Sequence, residues 1–189
     1  MRDLAVIALL CTAVASSAAA TFEVRIAACL ACHGEQGQSA NPEVPSLGAQ
    51  PSAYLAIQLY LFREKLRPVK LMNELTKDLS NDDLQRFAES MAALPAPKPS
   101  ADAPDAARIE RARVFVQQNR CGFCHGADFA GHDNIPRLAA QREDYLAKAL
   151  REYKSNTRPG YDASMAEVVQ PINDADLADI AYFMARAPK

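Results

Sequence analysis

The chain has 189 residues, with 21 Lys plus Arg against 23 Asp plus Glu, a formal net charge of −2 and an apolar share of 49%. That balance provides no basic surplus for a nucleic-acid partner. Beyond the N-terminus no stretch approaches the roughly 20 uninterrupted apolar residues of a membrane span, which predicts a soluble mature protein.

The chain opens with Arg2, an apolar run over residues 4–15, Ser16 and Ser17, then Ala18, Ala19 and Ala20. This is the pattern of a secretory signal peptide over residues 1–20, cleaved after Ala20. Leu10 stands before Cys11 where a lipoprotein anchor needs a small residue, which argues against lipidation there. Cleavage leaves four cysteines, and all of them fall in two short motifs, so no separate disulfide framework is available.

Those motifs are Cys29-Leu30-Ala31-Cys32-His33 and Cys121-Gly122-Phe123-Cys124-His125. Each reads as a covalent haem c site. Thiols three residues apart share one helical face, so Cys29 with Cys32, and Cys121 with Cys124, can each reach the two vinyl groups of one haem. His33 and His125 then supply the proximal iron ligands. A thioredoxin-like redox pair would need a βαβ pattern, which is missing here. A four-cysteine zinc site would need a far shorter loop between Cys32 and Cys121. A disulfide within each motif would leave the histidine unexplained twice.

The remainder of the chain repeats with the motifs. Val44-Pro45-Ser46-Leu47 answers to Ile135-Pro136-Arg137-Leu138, Gln50 to Gln141, and Tyr54-Leu55-Ala56 to Tyr145-Leu146-Ala147. Leu55, Leu59, Phe62 and Leu66 predict a helix with one buried face, ending at Arg67-Pro68, with Arg158-Pro159 as its counterpart. A loop carrying Met72, or Met165, follows. A last helix then opens behind Ser80 or Asn173 as N-cap, with acidic residues in its first turn. The proline-rich residues 95–104 predict an extended linker between domains at 21–94 and 105–189. The plan is all-α. Domains of this size have little core of their own, so the apoprotein is expected to be poorly folded.

Met72 and Met165 follow His33 and His125 at nearly equal intervals, in matching loops, and are the expected distal iron ligands. Met91 and Met184 also repeat but fall on the apolar face of the last helix, as core residues. His132 comes too soon after His125 to cross a haem and reads as a surface residue. An iron with both axial positions filled has no place for substrate, so the chemistry implied is electron transfer rather than catalysis.

In this ordered, twice-occurring set the chain resembles the diheme cytochrome c4 family, two tandem class I cytochrome c domains in one exported chain. The resemblance implies two covalently bound haems near a pseudo-twofold interface with their propionates close to it. It also implies that the carbonyls of Pro45 and Pro136 orient His33 and His125, and that electrons pass in a periplasmic respiratory chain towards a terminal oxidase. The other function classes to weigh are a cytochrome subunit of a periplasmic dehydrogenase, such as a flavin-dependent sulfide dehydrogenase or an alcohol dehydrogenase, and a haem enzyme with one open iron. Peripheral membrane association through protein partners fits either electron-transfer role. Domain one departs from the family in its short first helix. It also has Glu89-Ser90 where domain two has the aromatic pair Tyr182-Phe183. Both departures predict that the first domain is the less stable.

Overall fold

The computed structural model describes residues 21–158 and 163–187; the expected signal peptide and Cys11 lie outside them. Among the described residues the secondary structure is helical, with one isolated bridge between His132 and Ile135. Helices α1 (Phe22–His33), α2 (Ser52–Arg63), α3 (Lys70–Thr76) and α4 (Asn81–Ala92) form the first half. The second half holds α5 (Ala106–Gln118), α6 (Cys121–His125), α7 (Glu143–Lys154), α8 (Ser164–Val169) and α9 (Asp174–Arg186). No helix among the described residues is long and apolar enough to cross a membrane.

The expected caps close the last helix of each half. Ser80 and Asp83 form a reciprocal capping box at α4, and the Asn173 side chain accepts the Asp176 N–H at α9. Each such bond satisfies a backbone group that the helix cannot satisfy itself. In the first half α2 packs on α4 around Leu55, Ala88 and Met91. In the second, α9 packs on both α5 and α7 around a larger set that includes Val116, Leu146, Leu177, Ile180 and Met184. Met91 and Met184 are thus core residues, at 4% and 1% exposure.

Two expectations about helix ends are corrected. Helix α2 stops at Arg63 and α7 at Lys154, short of Arg67-Pro68 and Arg158-Pro159. The stop is made by Lys65 (φ 57) and Asn156 (φ 55), left-handed residues one place past each C-cap, and the chain turns away before a proline can act. Leu66 therefore lies outside the helix and is exposed rather than on its buried face.

The methionines, too, sit differently than expected. Met72 lies inside α3 and Met165 inside α8, in short helices rather than loops. Asn73 builds the first of these: its Oδ1 accepts the Val69 N–H at 2.8 Å, and its Nδ2 donates to the carbonyls of Phe62 and Arg67. Asn73 and Thr76, three apart, form the buried face of that turn.

Residues 95–104 form neither helix nor strand and are fastened to both halves. Gln38 of the first half exchanges two bonds with the backbone of Lys98. From the second half, the Ala185 carbonyl accepts the Ser100 N–H, and Arg186 pairs with Asp102.

Candidate haem-binding sites

In the first half Cys29, Cys32 and His33 occupy the last turns of α1, so a single helix presents all three. The second half splits the element: Arg120, at φ 52, breaks the chain between α5 and α6, and α6 carries Cys121, Cys124 and His125. The four cysteines among the described residues form no disulfide. Burial pushes the pKa values of the free Cys29 and Cys121 thiols up.

Both histidines are buried, and each is held the same way. His33 Nδ1 donates to the Pro45 carbonyl and His125 Nδ1 to the Pro136 carbonyl, both at 2.8 Å. A carbonyl can only accept, so the proton resides on Nδ1 and the lone pair on Nε2, the tautomer a metal requires. Burial lowers both imidazole pKa values, against the smaller opposing effect of the carbonyl bond, and this keeps Nε2 unprotonated.

Matching backbone turns put the two proline carbonyls in place. Leu47 and Gly48 both donate to the Gly37 carbonyl, at 2.8 and 3.0 Å, while Leu138 and Ala139 both donate to that of Phe129, at 2.8 and 3.1 Å. The chain leaves each histidine through a glycine of positive φ, Gly34 at 86° and Gly126 at 84°. A Cβ at Gly34 would lie 2.1 Å from the Gln38 carbonyl oxygen, so no other residue fits that turn.

Met72 and Met165 are half-buried, and Met165 packs against the second core. His132 is exposed beside Asp133, as expected of a surface residue.

Between the two sites lies a buried polar contact whose residues carried no assigned role in the sequence. Gln50 pairs with the backbone of Arg137, and Gln141 with that of Ser46, each through two hydrogen bonds. Beside them the Arg158 guanidinium donates to the Tyr145 hydroxyl at 2.9 Å. Burial raises the pKa of Tyr54. Tyr145 is half-buried, and Arg158 and Arg67 more than offset the desolvation and hold it below the usual tyrosine range. Arg67, Arg137 and Arg158 are all buried. Of these three, only Arg158 pairs with a carboxylate among the described residues (Glu152, 3.3 Å), and Arg137 Nε has no partner there. The signal for these residues was present: Gln50/Gln141, Tyr54/Tyr145 and Arg67/Arg158 all recur in the repeat.

The family model described as Cytochrome c matches residues 109–188. The cytochrome c4 of Pseudomonas aeruginosa is 28% identical over 178 residues, covering 90% of this chain and 89% of that one. A thiosulfate dehydrogenase electron acceptor of Thiomonas intermedia is 31% identical over 192 residues, covering 96% and 87%. The crystal structure of reduced recombinant cytochrome c4 from Pseudomonas stutzeri superposes with a TM-score of 0.77 at 25% identity, covering 90% of this chain and all of that one.

Proposed function

This chain belongs to the diheme cytochrome c4 family, and on that premise we propose that it is a periplasmic electron carrier with one haem c in each half, at 21–94 and 105–189. It is an electron-transfer protein, and its cofactor is covalently bound haem c. In the proposed assignment Cys29 and Cys32 hold one haem and Cys121 and Cys124 the other. His33 with Met72 would ligate one iron, and His125 with Met165 the other.

The observation that carries this assignment is the pair of 2.8 Å bonds from His33 and His125 to the Pro45 and Pro136 carbonyls, which leave each Nε2 ready for a metal. The residues between the halves fit the group as well. Buried guanidinium groups at Arg67 and Arg137 that lack a carboxylate are costly, and haem propionates are anions of the right kind to compensate them. When bound, the haem supplies a one-electron couple. The protein keeps each imidazole neutral and oriented, and with Met72 or Met165 as second ligand each iron would have no coordination position left for a substrate. Residues 1–20 would direct export.

The test is a haem count with a far-red absorption spectrum of the ferric protein, where methionine-to-iron ligation gives a weak band. Two haems per chain are expected, with half of the band lost in Met72→Ala and half in Met165→Ala. A band unchanged by either substitution rules out that methionine as ligand.

Electrons from such a carrier would pass towards a terminal oxidase. A second reading concerns where they come from: the 31% identical relative is a thiosulfate dehydrogenase electron acceptor, which supports a dehydrogenase of that class as donor. Mixing the ferric protein with purified thiosulfate dehydrogenase and thiosulfate checks this. Rapid reduction supports it, and co-elution separates a permanent subunit from a transient partner.

A further inference from the structure

The peptide group between Pro45 and Ser46 is used at both ends. Its carbonyl accepts from His33 Nδ1, and its N–H donates to Gln141 Oε1, each at 2.8 Å. The matching peptide between Pro136 and Arg137 accepts from His125 Nδ1 at 2.8 Å and donates to Gln50 Oε1 at 3.0 Å. Each glutamine comes from the half opposite the histidine it reaches. Its other arm fixes the orientation: Gln141 Nε2 donates to the Ser46 carbonyl at 2.8 Å and Gln50 Nε2 to the Arg137 carbonyl at 2.9 Å. A backbone N–H can only donate and a carbonyl only accept, so neither amide can be reversed. Ser46, Gln50, Arg137 and Gln141 are all buried, out of reach of competing water.

From this geometry we infer that Gln141 sets the electron-donating strength of His33, and Gln50 that of His125, each acting across the interface through one shared peptide group. The inference rests on the assignment of His33 and His125 as iron ligands. An acceptor on the N–H of a peptide shifts electron density onto its carbonyl oxygen, and in a low-dielectric interior such linked hydrogen bonds strengthen one another. A stronger acceptor on Nδ1–H makes the imidazole a better donor at Nε2, which favours ferric iron. Gln50 and Gln141 are thus positioning residues for the opposite iron, and they act on it only while the two halves are docked.

The test is a redox titration of the full holoprotein, each haem followed separately through the NMR methyl signal of its axial methionine. In Gln141→Met, which keeps the length but removes the acceptor, the reduced-to-oxidised ratio of the His33 haem at a fixed potential should rise about threefold, less than the effect of a direct ligand partner. That is about 30 mV at 59 mV per decade. The His125 haem should stay put, and Gln50→Met should give the mirror result. Gln141→Glu, which supplies an acceptor oxygen in either protonation state, should return the ratio to the wild-type value or below it.

A shift shared equally by both haems, confined to the variant's own half, or absent would overturn the inference. So would a Glu variant that behaves like the Met variant. Should the Met variants not fold, the reduced wild type decides: the Ser46 and Arg137 amide nitrogens should show through-hydrogen-bond coupling to the Gln141 and Gln50 side-chain carbonyls, and its absence refutes the contact. A wild type without axial methionine signals would instead count against the ligand assignment, a separate failure.

Discussion

The backbone N–H of Asp105, at the start of α5, donates to the Tyr182 hydroxyl on α9 at 2.7 Å. The Tyr182 ring is itself sandwiched by guanidinium groups, with Arg108 at 3.9 Å and Arg186 at 3.5 Å from its centroid. One side chain therefore fastens the entry of α5, both arginines and α9 together. Tyr182→Phe keeps the stacking and loses only the hydroxyl, so it should cost about 1 kcal/mol. Denaturant unfolding of the holoprotein checks this, with the haem spectrum unchanged.

The first half has no such lock, because the exposed Glu89 stands where Tyr182 stands in the second. Its α1 buries only His33 and is tied to α4 by the Phe22–Phe87 stack at 4.8 Å and the two-pronged Arg25–Asp83 pair. The partly exposed pair contributes little. Amides of α1 and α4 should exchange with deuterium faster than those of α5 and α9 in the intact holoprotein. The reverse order would remove the case for a weaker first half.

Asp179 on α9 gathers Arg108 and Arg111 at 2.7 and 2.9 Å. Burial alone would raise its pKa, but hydrogen bonds and charge from the two arginines outweigh it and the net shift is downward. A carboxylate with a depressed folded pKa stabilises fully above the unfolded value of about 3.9 and loses that contribution as pH falls through the folded value. Asp179→Asn should destabilise the protein by about 1–2 kcal/mol at neutral pH, a figure reduced for the solvent exposure of the arginines. Melting curves of variant and wild type should converge as pH falls below about 4.

His132 is exposed, and among the described residues its Nδ1 meets the neighbouring Asp133 carboxylate, at 3.1 Å. His132→Ala should leave haem content, the far-red band and both potentials unchanged. A far-red band only half the two-haem intensity in the wild type, with a vacant or newly methionine-ligated iron in His132→Ala, would make it an iron ligand in place of Met165.

What the sequence revealed was local. Cys-x-x-Cys-His spacing, the Ser80 and Asn173 caps and the burial of Met91 and Met184 depend on residues a few places apart, and all were legible. The end of α2 is not legible in the sequence because the stop is a left-handed Lys65 rather than a glycine, which leaves Pro68 as the visible breaker. The helix around Met72 was missed because it depends on Asn73 reaching back to Phe62, Arg67 and Val69, contacts that no periodicity announces. The glutamine contacts join residues 87 and 95 positions apart, so repetition could mark Gln50 and Gln141 but could not reveal that each serves the opposite half.

The segment 95–104 is bonded to Gln38 on one side and to Ala185 and Arg186 on the other, so it acts as a strap lashed down along its length. Should the glutamine contacts part, the halves remain at an effective concentration of about millimolar and re-dock as a first-order event. The two haems of one chain then stay together however dilute the protein is, and one molecule can take up two electrons from a donor without meeting a second copy of itself.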